Sequence, residues 1–526
     1  MKKEELIAPD NYNIVSEFEQ YLTDPDRKAI VWEDENGSTD QVTYEQLFSR
    51  ANQLANVFVS QGLEKGDKVL VMIPRLIQAY EVYVALLKAG LVVIPSSEML
   101  RAKDLEYRIQ HGDVKAVVTY YPYINEFEQV NKVSQLKKFV LGEASDGWAH
   151  LDELVEHAPT EFKTANTKSD DMAFLSYTSG TTGNPKGVVH THGWGFAHLK
   201  TAASNWLGIN EKDLVWATAG PGWAKWLWSP FLSVLGSGAT GFVYNGKFSP
   251  TKYLKLLQTY GVNVLCCTPT EYRLMAKVEG LDGYDLGQLH SAVSAGEPLN
   301  REVIDTFEKY FNLTVRDGYG QTENTLLVGI TKGMEVRPGS MGKPTPGNTV
   351  EIINEDGEPV KEGEVGDIAV HQSTPALFKE YYKDPEKTSA TYRGEYYLTG
   401  DQASKDGDGY FWFEGRSDDI IISSGYTIGP FEVEDALVKH SDIQECAVVA
   451  SPDAVRGAIV KAFIVLKDNV DEKRDGFVRE LQNHVKDLTA PYKYPREIEF
   501  VKELPKTTSG KIRRVELRKQ EMSKSL

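Results

Sequence analysis

The stretch Asp67-Lys68-Val69-Leu70-Val71-Met72-Ile73-Pro74 is an apolar run closed by proline, and it reads as a buried strand. Residues 78–88 follow with Tyr80, Val82, Tyr83, Leu86 and Leu87 at helical spacing, stopping at Gly90. Leu91-Val92-Val93-Ile94-Pro95 predicts a second strand, residues 104–110 a short helix closed by Gly112, and Val114-Lys115-Ala116-Val117-Val118-Thr119 a third strand. Strands joined by helical crossovers lie parallel and are covered by those helices. The same alternation returns at residues 253–260, 263–267 and 301–311, so the expected fold class is α/β, a large multi-subdomain body with mainly parallel sheets.

Past about Gly400 the texture changes to Gly- and Asp-rich turns, Asp406-Gly407-Asp408-Gly409 and Gly415-Arg416-Ser417-Asp418-Asp419, which predict a domain boundary. Beyond it, residues 445–450 and 459–466 read as paired strands, 476–488 as an amphipathic helix and 497–501 as a last strand, together a small α+β domain. From Pro505 onward Lys506, Lys511, Arg513, Arg514, Arg518, Lys519 and Lys524 face only Glu516 and Glu521, and this basic stretch reads as a solvated tail.

The whole chain has 526 residues, 41% hydrophobic and 25% charged, which suits more than one folding unit with a sizeable core. Its net charge of −18 disfavours non-specific nucleic-acid binding, so an anionic substrate must meet local positive charge. Cys266, Cys267 and Cys446 form no C-x-x-C pair, which gives a zinc site or a disulfide framework no support. The N-terminus lacks the apolar core of a signal peptide. The best apolar run, residues 83–95, is broken by Lys88 and Gly90, short of the roughly 18 residues of a membrane helix. A cytoplasmic location without membrane insertion is the expectation.

The strongest local signal is Tyr177-Thr178-Ser179-Gly180-Thr181-Thr182-Gly183-Asn184-Pro185-Lys186-Gly187. Glycine N–H groups, hydroxyls and one cation are what a polyphosphate needs from a protein. The P-loop pattern fails, because Pro185 takes the place of its second glycine and Gly187 follows Lys186. Gly318-Tyr319-Gly320-Gln321-Thr322-Glu323 lacks the third glycine of a dinucleotide fingerprint; Thr322 can bond a phosphate and Glu323 can hold Mg²⁺. Asp401, in Tyr397-Leu398-Thr399-Gly400-Asp401, can accept from both ribose hydroxyls, and the guanidinium of Arg416 can fork to hydroxyl or phosphate. Pro505-Lys506-Thr507-Thr508-Ser509-Gly510-Lys511 sets one lysine beside a glycine, able to carry its charge onto an oxyanion.

These five motifs, in this order, resemble the AMP-forming acyl-CoA synthetases of the adenylate-forming superfamily, which also holds firefly luciferase and the adenylation domains of peptide synthetases. The resemblance runs from Thr43-Tyr44-Glu45-Gln46-Leu47 to Lys511. Ser294-Ala295-Gly296-Glu297-Pro298-Leu299, Pro452-Asp453-Ala454-Val455-Arg456-Gly457 and Ala490-Pro491-Tyr492-Lys493-Tyr494-Pro495 are similar to the medium-chain branch. The resemblance implies an N-terminal ATP- and acyl-binding domain over residues 1–417 and a rotating C-terminal domain over 418–526, with ATP, Mg²⁺ and CoA as cofactors and a small carboxylic acid as substrate.

By that resemblance residues 178–186 close over the β- and γ-phosphates, with Lys186 among the catalytic groups. Gly296, Glu297, Pro298, Asp317, Gly318 and Tyr319 border the adenine, and Gln321 belongs to the same ATP site. Thr322 contacts the α-phosphate, Glu323 holds Mg²⁺, and Asp401 and Arg416 bind the ribose. Asp418 is the hinge, and Lys511 bridges the carboxylate and the α-phosphate during adenylation. After the small domain turns, Ser424, Gly425 and Tyr426 line the pantetheine tunnel, and Arg456, Lys486 and Tyr494 match positions that meet CoA. Thr427, before Ile428, departs from the Arg-Ile of many relatives and puts a charged CoA contact in doubt.

Acetate-specific members carry a tryptophan where this chain has Gly320, so the expected acid is short- to medium-chain and larger than acetate, branched and aromatic acids included. Trp223 matches the family's aromatic gate, and Lys225 and Trp226 are neighbouring candidates for the acyl pocket. Two other readings stand beside this one: an adenylating enzyme that loads a carrier protein, against which the given chain runs only 15 residues past Lys511, and a non-catalytic nucleotide- or acyl-binding relative. A homo-oligomer, and a lysine acetyltransferase and deacetylase acting on Lys511, are further expectations.

Overall fold

Strand Lys68–Met72 lies between Val92–Pro95 and Val114–Tyr120, parallel to both, so the opening stretch of the sequence is the centre of a sheet. The helix that joins the first two, Ile77–Lys88, is buried on nearly every face, as an apolar crossover between layers must be. It packs on helix Tyr44–Ser60, whose start is fixed by a reciprocal pair: the Thr43 hydroxyl accepts from Gln46 N (3.2 Å) and the Gln46 side chain accepts from Thr43 N (2.9 Å). The computed structural model describes residues 1–131, 133–178, 184–296, 299, 301–416, 419, 421–468, 470–505, 512 and 514–524, apart from the side chains of 302, 414–416, 427, 431, 432, 435 and 515.

Seven strands form this first sheet, which adds Met172–Thr178 in parallel beside Val92–Pro95 and ends on Lys186–Thr191, antiparallel. The second sheet has 14 strands. Its parallel half comprises Lys28–Asp34, Thr240–Asn245, Leu214–Ala217, Val264–Cys267, Ser291–Ala295 and Val315–Gly320. From Leu326–Gly329 onward every neighbour is antiparallel, through Ser340–Pro344, Phe411–Arg416, Tyr396–Lys405, Gly366–His371 and Val350–Ile353. The mainly parallel expectation therefore holds for the two sheet centres and not for this half, whose strands carry too little periodicity to separate from loop.

The turn at 406–409 is likewise not a boundary. It closes the hairpin between Tyr396–Lys405 and Phe411–Arg416, and Asp406 fastens it by accepting from the backbone N–H of Asp408 and Tyr410 (both 3.0 Å). The chain leaves the large sheet only after Arg416.

The small domain pairs Ile443–Asp453 antiparallel with Gly457–Leu466 and adds Glu497–Phe500 in parallel. Ile421, Ile428, Val433, Leu437, Val448, Phe477 and Leu481 fill its core. Within the basic C-terminal stretch, residues 514–524 are not a solvated tail: Arg514–Lys524 is a helix, and Leu517 packs with Ala447, Val449 and Phe463. One turn on, the buried Glu521 accepts from Lys461 Nζ (2.9 Å) and Ser451 Oγ (2.8 Å). Net charge concealed this apolar-plus-acid face, because Leu517 and Glu521 are spaced to share it.

Candidate active site

A cleft of about 1750 Å³ opens where the parallel strands of both sheets end, roofed by the small domain, the position at which open α/β sheets collect ligands. Thr178 and Lys186 face each other as a register pair at the base of the hydroxyl-rich loop. Ser179, Gly180, Thr181, Thr182 and Gly183 lie outside the described residues. Lys186 Nζ stands 3.6 Å from Glu323 Oε1 and 3.3 Å from the Tyr381 hydroxyl, over whose ring it sits at 4.8 Å. The same hydroxyl donates to Glu323 Oε1 at 2.8 Å. Burial and the neighbouring Glu323 carboxylate push the Tyr381 phenol far above its usual range, so it stays a donor. This places a cation beside a largely buried carboxylate, with Thr322, its neighbour in sequence, lining the same cleft. A single carboxylate next to phosphate-binding groups is a donor set that fits Mg²⁺.

The segment bearing Thr322 and Glu323 is pinned from three sides. Asn324 Oδ1 accepts from Gln321 N (2.8 Å), Trp194 Nε1 donates to Asn324 O (3.0 Å), and His190 Nε2 donates to Thr322 O (2.6 Å). Burial pushes His190 down to about 4, so the ring is neutral at neutral pH and holds its proton at Nε2, where the carbonyl demands a donor. A Cβ on Gly320 would meet the backbone oxygen of Thr325 at 2.0 Å. Gly320 lines the cleft and is also required by the tightness of this turn, so a tryptophan there needs a different path for residues 320–325.

On the nucleoside side, Asp401 is buried and accepts from Tyr319 OH (2.6 Å) and Gln321 Nε2 (2.9 Å). Gly296, Asp317 and Gly318 line the same wall. Burial pushes Asp317 up to about 7, although its carboxylate accepts from Gly318 N (2.8 Å) and Leu299 N (3.3 Å). Arg416 pairs with Asp401 through the strand register. Its side chain, together with Glu297, Pro298, Asp418 and Lys511, lies outside the described residues.

The end of the cleft that the resemblance assigns to the acyl group is aromatic. Trp223 and Lys225 line it, joined by Trp206 and Trp228, which no spacing signal distinguished from core residues. Lys225 Nζ sits over the Trp206 ring at 4.6 Å and the Trp228 ring at 5.8 Å. Trp226 does not belong here: it is buried against Tyr80, Tyr83 and Phe231 with ring centroids 4.8–5.3 Å apart, because the short helix at Ala224–Trp226 turns it toward the core.

The mouth is closed by the hairpin Ile421–Ser423 and Tyr426–Ile428 of the small domain. Its turn uses Ser424 and Gly425 in the left-handed region (φ +50° and +78°), with Gly425 against Thr268 and Gly296. Tyr426 stacks on Tyr492 at 4.4 Å, and Trp223 meets both edge-on at 5.1 and 5.3 Å. Arg273 Nε donates to Val455 O (2.7 Å), a further tie between the two domains. Arg456 lines the opening. Lys486 and Tyr494 do not line it: Lys486 Nζ sits 4.0 Å over the Tyr494 ring, and the Tyr494 hydroxyl accepts from Arg496 (2.7 Å), so the pair is held on the small domain.

The family profile described as "AMP-binding enzyme" matches residues 18–382, and that described as "AMP-binding enzyme C-terminal domain" matches residues 432–511. The chain is 65% identical over 521 residues to the acyl–CoA ligase YtcI of Bacillus subtilis (strain 168), spanning 99% of this chain and 98% of that one. It is 42% identical over 503 residues to the mitochondrial acyl-coenzyme A synthetase ACSM3 of Mus musculus, spanning 94% and 86% of the two chains. The crystal structure of Brucella canis acyl-CoA synthetase superposes with a TM-score of 0.74 at 33% identity, over 99% of this chain and 97% of that one. Family profile, relatives and fold agree, and the chain belongs to the AMP-binding enzymes as an AMP-forming acyl-CoA synthetase.

Proposed function

We propose that this chain activates a short- to medium-chain carboxylic acid larger than acetate, branched and aromatic acids included, and that the arrangement of its two domains described above is the one used for transfer to CoA. The observation that carries this reading is the small-domain hairpin seated over the acyl end, Tyr426 against Trp223, while Lys186, Tyr381 and Glu323 stand at the phosphate end of the same cleft.

The chemistry divides accordingly. In the first half-reaction a carboxylate oxygen attacks the α-phosphorus of ATP and pyrophosphate leaves; in the second, the CoA thiol attacks the acyl carbonyl carbon and AMP leaves. Two anions must first be neutralised and held in line. Lys186 and the loop after Thr178 take the terminal phosphates, Thr322 takes the α-phosphate, and Asp401 takes the ribose with Arg416. Glu323 would hold Mg²⁺, which when bound offsets charge on the phosphate oxygens. Lys511 would supply the charge that joins carboxylate to α-phosphate, and leave when the small domain turns about Asp418, with residues 1–417 as the fixed body and 418–526 as the moving one. Ser424, Gly425 and Tyr426 then form the pantetheine passage and Arg456 its outer rim. The seated hairpin excludes water from an adenylate that hydrolyses readily.

The test is carboxylate-dependent ATP–pyrophosphate exchange from acetate to octanoate, with isobutyrate, 2-methylbutyrate and benzoate included, run on the wild type and Lys511→Ala. The variant is expected to lose on the order of a hundredfold in adenylation, as for loss of one oxyanion clamp, while discharging preformed acyl-adenylate to CoA normally. Equal loss in both half-reactions refutes the two-arrangement reading. No helix among the described residues is long and apolar enough to cross a membrane; cytoplasmic residence, a homo-oligomer and acetylation of Lys511 rest on the sequence alone.

A further inference from the structure

The acyl end contains a cation that the reaction described above does not use. Lys225 Nζ is set against the faces of Trp206 and Trp228, and among the described residues no carboxylate stands within ion-pair distance of it. Its polar neighbour His198 offers no anion: its Nδ1 is engaged with Thr325 Oγ1 (2.7 Å) and its Nε2 with Trp228 O (2.9 Å), and burial together with Lys225 itself pushes it down to about 3. The indole N–H of Trp228 also has no hydrogen-bond acceptor among the described residues. A wall rich in donors and poor in acceptors is mismatched to a pure hydrocarbon chain. Lys225 is partly exposed to the cleft, and an acyl chain bound against it would take its ammonium out of water, a cost that two aromatic faces offset only in part.

From this geometry we infer that Lys225 selects acids whose acyl chain carries an oxygen acceptor, either a second carboxylate or a carbonyl, over hydrocarbon acids of the same shape. The inference rests on the reading of this end of the cleft as the acyl site, and it deepens that reading by naming a substrate class. Such an acid would bring the missing acceptor to Lys225 on binding, and a hydrocarbon chain would leave the ammonium unpaired beside it. Discrimination built on a polar group left unpaired is stronger than discrimination by size.

The experiment uses the full chain and two matched pairs: 4-oxopentanoate with 4-methylpentanoate, and glutarate with 5-methylhexanoate. Acid-dependent ATP–pyrophosphate exchange is measured for the wild type, Lys225→Met and Lys225→Arg. The wild type is expected to favour the oxygen-bearing member of at least one pair by tenfold or more in kcat/KM. Lys225→Met should invert that preference, raising kcat/KM for the hydrocarbon member, and Lys225→Arg should retain it. Loss of the same factor with all four acids in Lys225→Met overturns the inference, because it places Lys225 at the reacting carboxylate or in the fold. A wild type that favours the hydrocarbon member of both pairs overturns it too. Absence of exchange with these four acids, when exchange occurs with members of the acetate-to-octanoate series, overturns the substrate class alone. Absence of exchange with every acid overturns the synthetase reading on which it rests.

Discussion

Replacing Tyr381 by Phe tests whether the phosphate end is organised before ATP arrives. The substitution keeps the ring beneath Lys186 and removes one hydroxyl, the group that donates to Glu323 Oε1 at 2.8 Å and lies 3.3 Å from Lys186 Nζ. Glu323 is only 8% exposed, so its carboxylate would keep Lys186 at 3.6 Å and lose the neutral donor Tyr381. A hydrogen bond to a charged group contributes about 1.5–3 kcal/mol, and about 1.4 kcal/mol is a tenfold change in an equilibrium constant. The half-saturating Mg·ATP concentration should therefore rise about tenfold to a hundredfold. Tyr381 acts through Lys186 and Glu323 as a positioning residue, so KM for the acid and the discharge of preformed acyl-adenylate to CoA should stay within threefold. The assay is acid-dependent ATP–pyrophosphate exchange titrated with Mg·ATP, beside calorimetric binding of Mg·ATP without acid. An unchanged or lower half-saturation, with kcat alone reduced, refutes the reasoning.

Gly320→Ala should abolish most adenylation, because its Cβ meets Thr325 O at 2.0 Å and the turn holding Thr322 and Glu323 must move; exchange activity within threefold of wild type would show that the turn yields cheaply. Asp317 carries the third expectation. Its folded pKa is raised from 3.8 to about 7, so the stability attached to its neutral form is present at acid pH and lost as pH rises through about 7. Asp317→Asn should therefore gain stability relative to wild type at pH 8.5, on the order of 2–4 kcal/mol, with little gain at pH 4. Urea unfolding at the two pH values measures it, and an equal difference at both refutes it.

Which parts of this molecule could be read ahead follows from where their information lies. The strand–helix–strand run through residues 67–119 is written in local periodicity, and the structure returns it with shifts of one or two residues at its ends. The phosphate, nucleoside and hairpin motifs are short runs of unusual residues, so position in the chain was enough to bring Thr178, Lys186, Tyr319, Thr322, Glu323, Asp401 and Gly425 to one cleft. Tyr381 and His190 had no such mark: each acts through contacts to motif residues more than 50 positions away, information that exists only after folding. Trp226 and Trp228 are two residues apart and chemically alike, yet one faces the core and the other the cleft. A break in helix geometry at Leu227 decides which, and composition does not show it. The C-terminal helix was hidden because counting charge ignored the spacing of Leu517 and Glu521.

The ring cluster at the mouth gives the protein a built-in optical gauge. Trp194, Trp216 and Trp226 are at most 2% exposed and lie within the large body away from the cleft wall, where their surroundings are constant. Trp223 is partly exposed and touches two tyrosines carried by the other domain. Its emission is therefore the component that depends on how far apart the two parts stand. The difference spectrum between the wild type and Trp223→Phe isolates that component, and following it through a single turnover tests the proposed turn of the small domain without an added label.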